Sequence, residues 1–313
     1  MKYLISGGTG LIGTRLVHTL ADKDHEIIVL SRSPEYAPSF LPHVKTIPWD
    51  AETTGDWIDH LNGADVVINL AGESIAGKGF FPSPWTQERK KRILNSRVDV
   101  GQALLAGVQE VTQKPNVFIQ ASAIGYYGTS KDETFSEDSP PGSDFLADTC
   151  KAWESSTKPV ADYGVSHIIT RFGMVLSTKG GAFTRLLLPF RLFLGGPFGD
   201  GQQWYSWIHI QDLCNAIYFL SSTPGAQGAY NLTAPHPVRN KTFAKTLGKI
   251  VSRPSLVPVP AFLMRWVFGD VSTVVLDGQR VIPQRLTKTG FPFQYPTLEK
   301  ALRDLLDLPK ETI

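Results

Sequence analysis

Cysteine is scarce in this chain. Two thiols, Cys150 and Cys214, are spread over 313 residues, too few for a disulfide framework or a multi-cysteine metal site. The seven histidines are scattered without ligand spacing, so no metal is expected. Neither sign of charge dominates. Lys and Arg number 31 against 29 Asp and Glu, a formal net charge of +2, which argues against nucleic acid or an anionic membrane as a whole-chain partner. No apolar run approaches the ~20 residues that span a bilayer. No signal peptide precedes the first strand pattern, and a cytoplasmic location is expected. A Gly-x-Ser-x-Gly hydrolase elbow is also missing. What is present is a mean hydropathy of −0.09, with enough apolar residues to bury a sizeable core.

Short β-branched runs alternate with amphipathic stretches over the first two-thirds. Strands are predicted at Tyr3–Ser6, Ile27–Leu30, Thr46–Trp49, Val66–Leu70, Val117–Gln120 and His167–Thr170. Helices are predicted at Leu11–Leu20, Trp85–Val108 and Phe145–Tyr163. Such alternation gives an α/β fold: a doubly wound parallel sheet with helices on both faces. Beyond Phe172 the pattern loosens. A helix over Gln211–Leu220 and a strand-like Ala229–Thr233 precede a proline-studded region. The apolar helix Ala261–Phe268 and a last helix from Thr297 to Leu308 follow.

The segment Ser6-Gly7-Gly8-Thr9-Gly10-Leu11-Ile12-Gly13 links the first strand to the first helix. Gly7 suits the tight turn, Gly10 a close approach to a pyrophosphate, and Gly13 the packing of helix on strand. Phosphate would sit at the helix N-terminus, against free N–H groups. About twenty residues on, the second strand ends in Ser31-Arg32-Ser33. A carboxylate there would take the ribose hydroxyls of NAD. Arg32, with Ser31 beside it, suits a 2′-phosphate instead, so NADP (NADPH) is the expected cofactor. The expected organisation is an NADP-binding Rossmann domain over residues 1–172, to which segments around 205–233 return. A smaller C-terminal α/β substrate-side part follows over 173–313, with a distinctive tail at about 255–313.

The glycine spacing, the turn Asn69-Leu70-Ala71-Gly72, the run Ser122-Ala123-Ile124-Gly125-Tyr126-Tyr127-Gly128 and Trp207-Ile208-His209 resemble the extended short-chain dehydrogenase/reductase superfamily. More narrowly, Leu70-Ala71-Gly72-Glu73, Trp153-Glu154, Gly195-Gly196-Pro197 and Gly278-Gln279-Arg280-Val281-Ile282-Pro283 resemble its atypical epimerase family proteins, which carry a C-terminal domain of the DUF1731 type. The resemblance implies cofactor contacts from Gly7, Thr9, Gly10, Leu11, Ile12, Gly13, Leu70, Ala71 and Gly72. Active superfamily members use a Ser, a Tyr and a Lys, the last two on one helix face at i, i+4 spacing. In register with Glu154 and with Tyr127-Gly128, those positions hold Ala123, Leu146 and Cys150 here. None suits proton transfer. Tyr127, Ser122 and Lys151 lie nearby as weak substitutes, each read first as a packed or hydrogen-bonded structural residue.

Arg97, on the long helix, suits a phosphate or ribose contact or a surface ion pair. Arg171, ending the sixth strand, suits the site or a carboxylate partner. On the substrate side, Glu73, Tyr126, Trp204 and Tyr205 stand near the expected mouth. Tyr205 falls where nucleotide-sugar enzymes often place an Arg, so aromatic contact is favoured over diphosphate binding. The partner expected is a small-molecule substrate, and a homodimer is left open. Two functions follow. One is an NADP-dependent oxidoreductase or epimerase with a non-standard acid/base such as Tyr127 or a water. The other is an NADP(H)-responsive regulator that has lost catalysis.

Overall fold

The structure is a computed structural model that describes residues 1–38, 40, 43–77, 79 and 81–307. Seven strands form one parallel sheet: β1 (Lys2–Ser6), β2 (Glu26–Ser31), β3 (Val44–Pro48), β4 (Val66–Asn69), β5 (Val117–Ala123), β7 (Ser166–Phe172) and β11 (Gly228–Leu232). Their order is β11-β7-β5-β4-β1-β2-β3. The order reverses between β1 and β4, and the crevice at such a switch point is where doubly wound sheets take ligands. Six short strands lie outside the sheet: β6 (Thr134–Phe135), β8 (Met174–Leu176), β9 (Trp204–Tyr205), β10 (Trp207–His209), β12 (Val238–Arg239) and β13 (Arg280–Val281).

Helices α1 (Leu11–Ala21) and α6 (Ile210–Ser222) cover one face, with Leu16, Val17 and Leu20 packed beside Leu213, Ile217 and Leu220. The short α2 (Ile58–Leu61) and the long α3 (Gln87–Glu110) cover the other, where Leu61, Val100, Leu104 and Val108 are buried. Beside α3 lies α4 (Phe145–Thr157). The C-terminal elements α5 (Gly181–Arg191), α7 (Asn240–Ile250) and α11 (Leu298–Leu305) share a separate core around Trp207, Phe243 and Tyr295. Three further short helices are α8 (Ala261–Phe268), α9 (Thr273–Leu276) and α10 (Gln284–Lys288). Among the described residues, no helix is long and apolar enough to cross a membrane.

All six predicted sheet strands are present, and the strand-like run after Gly228 is the seventh, at the sheet edge. The helix expected over Phe145–Tyr163 is not one helix. It ends at Thr157, and Lys158–Tyr163 continues as a tighter 3-10 turn. Pro159 explains the change, since it brings no N–H to an α-helical ladder. Helices α5 and α7 were not expected. Pro189 and the flanking glycines hide the first from periodicity, although Pro189 stands close to its C-terminal end. The last helix ends at Leu305, and Leu308 lies outside the described residues.

The tail is tied to the sheet rather than appended to it. Strand β13 pairs in parallel with β6. Ser206 Oγ donates to Gln279 O at 2.8 Å and accepts from the Val281 N–H at 2.9 Å. Asn231 Nδ2 donates to Ile282 O at 3.1 Å. At Gly278 a Cβ would stand 2.2 Å from Trp204 O, which accounts for a glycine at the head of the tail motif.

Candidate functional site

The switch point is held by a buried polar belt. Ser6 Oγ donates to Asn69 Oδ1 at 2.7 Å, and Asn69 Nδ2 donates to Gln120 Oε1 at 3.0 Å. The belt links the ends of β1 and β4 to the middle of β5, and all three side chains are fully buried. The Ala71 N–H also donates to Asn69 Oδ1, at 3.2 Å, which fixes the Leu70–Gly72 turn beside Gly7. That closeness explains Gly7. Its φ is +71°, and a Cβ would lie 2.6 Å from Leu70 C and 2.7 Å from Ala71 N. At Gly13 a Cβ would lie 2.2 Å from Gly7 O, so only glycine lets α1 pack on the turn.

Gly10 is different. A Cβ there would meet only Gly7 O, at 3.4 Å, and the residue is exposed. Its glycine is explained by space needed on the open side. Gly10 caps α1 with no side-chain hydrogen bond, and the first turn holds no acidic residue. The N–H groups at the start of the helix therefore face the crevice free for an anion. Thr9, Leu11 and Ile12 are partly exposed around this cradle.

At the end of β2, Ser31 is buried and its Oγ accepts from the Ser33 N–H at 3.2 Å. Arg32 is exposed, and among the described residues nothing pairs with its guanidinium. Arg97 reaches the Leu70–Gly72 turn from α3. A Cβ on Gly72 would lie 3.1 Å from Arg97 Cζ. The guanidinium stacks 4.9 Å from the Trp153 ring centroid, and its Nη1 donates to Ile93 O at 2.8 Å. No carboxylate pairs with it among the described residues, and burial lowers its proton affinity. Arg97 is thus not in a surface ion pair. It is a desolvated cation beside the crevice.

A second polar cluster fills the ends of β5, β7 and α4. Arg171 grips Glu154 with two bonds, Nε to Oε1 at 2.8 Å and Nη2 to Oε2 at 2.9 Å. Both residues are buried. Burial works against the Arg171 charge, but the hydrogen bonds and charge of Glu154 outweigh it and raise its proton affinity. Ser122 Oγ donates to Glu154 Oε1 at 2.6 Å. Arg171 Nη1 donates to Tyr127 Oη at 2.9 Å, and Tyr127 Oη donates to Asn231 Oδ1 at 2.7 Å. The Arg171 guanidinium also lies 3.4 Å from the centre of the Tyr126 ring. Tyr127 is 3% exposed, and burial pushes its hydroxyl up to about 12.

The three positions that the resemblance assigns to Ser, Tyr and Lys lie around this cluster, with Cys150 against Ser122. Cys150 Sγ points at Ala123 O, 3.6 Å away, and burial pushes its thiol up to about 11. Leu146 packs where a Cβ on Gly125 would approach it to 3.2 Å. Lys151 leaves the cluster altogether. Its side chain is partly exposed and bonds Asp148 at 2.7 Å.

Of the substrate-side candidates, Glu73 stands at the end of β4 between Arg89 and Arg92, at 3.7 and 3.6 Å. Its N–H donates to Ser96 Oγ at 2.9 Å. Tyr126 is half-buried on Arg171, as described. Trp204 stacks with Arg239, 3.9 Å from its ring centre, and its indole N–H donates to Lys131 O at 3.0 Å. Tyr205 is a correction. It is buried in the C-terminal core against Phe243, with its hydroxyl on Val275 O at 3.2 Å, so it lines no mouth.

Sequence reasoning missed the belt of Ser6, Asn69 and Gln120 and the partners Asn231 and Glu137. Polar residues inside otherwise apolar strand runs were the available signal, at Gln120 and Asn231 above all. Glu137 gave none, since it lies in a loop. It reaches the sheet edge, where its Oε1 accepts from the N–H groups of Asn231 at 3.0 Å and Arg285 at 3.1 Å. Among the described residues there is no cluster of side chains suited to a metal ion.

Two family descriptions match the chain: "NAD dependent epimerase/dehydratase family" over residues 3–233, and the domain of unknown function DUF1731 over 259–305. An epimerase family protein of Staphylococcus haemolyticus, SH2119, is 39% identical over 98% of this chain and 99% of its own length. The chloroplastic SDR39U1 homolog of Arabidopsis thaliana is 40% identical over 98% of this chain and 87% of its own length. The crystal structure of human epimerase family protein SDR39U1 with NADPH superposes with a TM-score of 0.87 at 33% identity, covering 98% of this chain and 99% of that one. With the glycine turn, the strand order and the tail all falling inside the matched regions, the chain belongs to the NAD dependent epimerase/dehydratase family.

Proposed function

We propose that this protein binds NADP(H) across the β1–β4 switch point and acts as an NADP-dependent oxidoreductase or epimerase on a small molecule. The observation that carries the reading is the cradle itself. Gly7 and Gly13 admit no side chain, Gly10 is left open, and two cations without carboxylate partners, Arg32 and Arg97, flank it. The residues fit the group. Free N–H groups of α1 suit the pyrophosphate, Arg32 suits a 2′-phosphate, and the planar Arg97 fork suits ribose hydroxyls or phosphate oxygens. The human relative, whose crystal structure holds NADPH, supports the same choice. Fluorescence titration should give NADPH a Kd at least tenfold below that of NADH. Equal affinity, or tighter NADH, would overturn the preference.

When bound, the dinucleotide supplies a hydride donor or acceptor. This chain's own residues bind and orient it, and they hold protons rather than move them. Leu146 has no proton to give, Ala123 offers no hydroxyl, and Cys150 keeps its proton at neutral pH. Tyr127 is engaged by Arg171 and Asn231, and its proton affinity is far from that of an acid/base poised near pH 7. Proton exchange therefore falls to water or to the substrate. The expected test is oxidation of bound NADPH by a panel of small carbonyl compounds, with Tyr127→Phe retaining the rate within about threefold. A loss of ~10²-fold or more would restore Tyr127 as the acid/base.

The apolar Ala123, Leu146 and Cys150 favour a second reading, an NADP(H)-responsive regulator. It requires a partner whose affinity differs between NADPH and NADP+. Identical affinity in both forms would remove it.

A further inference from the structure

Three short strands outside the main sheet bring two arginines onto one indole ring. Arg239 on β12 stands directly across from Trp204 on β9, and its guanidinium carbon lies 3.9 Å from the Trp204 ring centre. Arg280 on β13 approaches the same ring to 5.0 Å. The backbone enforces that approach. A Cβ on Gly278 would stand 2.2 Å from Trp204 O, so the tail passes against β9 two residues before Arg280. Arg239 is fixed further, since its Nη1 donates to Gln202 O and to Lys131 O, the latter at 3.1 Å. These acceptors are neutral carbonyls. They hold the fork in place and leave its charge unbalanced. Among the described residues no carboxylate forms an ion pair with Arg239 or Arg280, although Asp132 and Glu133 are exposed on the neighbouring loop. Two like charges on one ring repel each other, and attraction to the ring face offsets only part of that. An anion shared by both supplies the rest.

The arginine pair lies beyond β5. Trp204 Nε1 donates to Lys131 O at 3.0 Å, just after the Gly128 turn. Gln279, next to Arg280, donates from Nε2 to Ile124 O at 2.9 Å, where β5 ends. Arg32 follows β2, on the other side of the β1–β4 switch point. A dinucleotide laid across the switch point with its 2′-phosphate on Arg32 therefore points its nicotinamide toward β5, and the arginine pair comes next in line. The charge selects the group bound there. A phosphate monoester carries about −1.5 to −2 charges near pH 7. That balances two guanidiniums, each of which keeps N–H donors for its oxygens. A single carboxylate leaves one cation unmatched.

We propose that Arg239 and Arg280 bind the phosphate group of a phosphorylated small-molecule substrate, whose reacting carbon lies toward the end of β5. This substrate class belongs to the NADP-dependent reaction proposed above and rests on the dinucleotide lying across the switch point.

Calorimetric titration of inorganic phosphate into the full chain saturated with NADPH tests the site without turnover, because the cofactor's own phosphate contacts are then filled. At constant ionic strength one phosphate should bind with a Kd of about 1 mM or tighter, and acetate at least tenfold more weakly. Arg280→Gln should weaken phosphate by ~10-fold, the cost of one charge-assisted contact. Its side chain is exposed and makes no hydrogen bond among the described residues, so the variant should keep its Tm and its Kd for NADPH. Arg239→Gln/Arg280→Gln should weaken phosphate by ~100-fold. If the double variant fails to fold, Arg280→Gln alone decides. Phosphate binding that is absent at 10 mM, that acetate matches, or that depends on Arg32 rather than Arg280 overturns the proposal. In the carbonyl panel, the compounds that oxidise NADPH should bear a phosphate group, and a panel in which only unphosphorylated ones react also overturns it. A panel with no turnover at all counts against the NADP-dependent reaction instead, and the phosphate titration still decides the site.

Discussion

Between β1 and α1 the chain dispenses with side chains, whereas at the ends of β5 and β7 it crowds them in. The first region meets its ligand with backbone. A Cβ at Gly7 or Gly13 would enter a neighbouring peptide, and the start of α1 is left with N–H groups to offer. The second region has committed its polar groups to one another. Glu154 accepts from Arg171 and Ser122, and Tyr127 joins Arg171 to Asn231. A region whose donors are uncommitted is free to bind. A region whose donors are matched internally is a clamp, holding the sheet edge and α4 together. The difference separates a region with donors left to offer from one whose donors are matched within the protein.

Breaking the clamp should have the largest effect. Glu154→Ala leaves a buried, unpaired Arg171, and removal of one partner from a buried pair costs about 3–5 kcal/mol. Urea unfolding should report that loss, and the Arg171→Met/Glu154→Leu pair should recover most of it. In the cradle, Gly13→Ala should weaken NADPH binding by ~10²-fold, because its methyl group displaces Gly7 O from 2.2 Å. Fluorescence titration reads this directly. Arg32→Ala should cost ~10-fold for NADPH and leave NADH unchanged, as expected for one exposed charge-assisted contact. An equal loss for both dinucleotides would move Arg32 out of the 2′-phosphate role.

The smallest effect expected is in acid, near the clamp. His167 on β7 is held neutral by burial, with its pKa lowered to about 4. Its unfolded value is about 6.5. Between these values the unfolded chain binds the extra proton, so stability should fall as pH drops from about 6.5 to about 4 and then level off for this group. In thermal melts, His167→Gln should flatten that decline by a few degrees while keeping a partner for Thr157 Oγ1, which now lies 3.0 Å from His167 Nε2.

The alternation of β-branched runs with amphipathic stretches made the sheet legible, because each strand is short and each crossover helix has an apolar stripe. The cradle was legible for a related reason, since glycine spacing records backbone approaches that no other residue permits. The clamp was not. Arg171, Glu154 and Tyr127 come together from β7, α4 and the turn after β5, and no local pattern announces that an Arg ending a strand will meet a Glu 17 residues earlier. Tyr205 misled for the same reason. Its motif position pointed at the mouth, but packing against Phe243 and Val275 turned it inward. Helices α5 and α7 escaped because proline and glycine flank or interrupt their periodicity, while their burial is supplied by partners distant in sequence.

The ties between tail and sheet also bear on how the chain is made. Gln279 Nε2 holds Ile124 O across 155 residues, and the Arg285 N–H holds Glu137 across 148. Translation proceeds at about 5–20 residues per second. A nascent chain therefore waits on the order of ten seconds between exposing the edge around Glu137 and receiving the segment that covers it. Through that interval the half-built sheet presents an open edge on the ribosome, and the hand-over from synthesis to the finished fold is set by the arrival of residues 278–285.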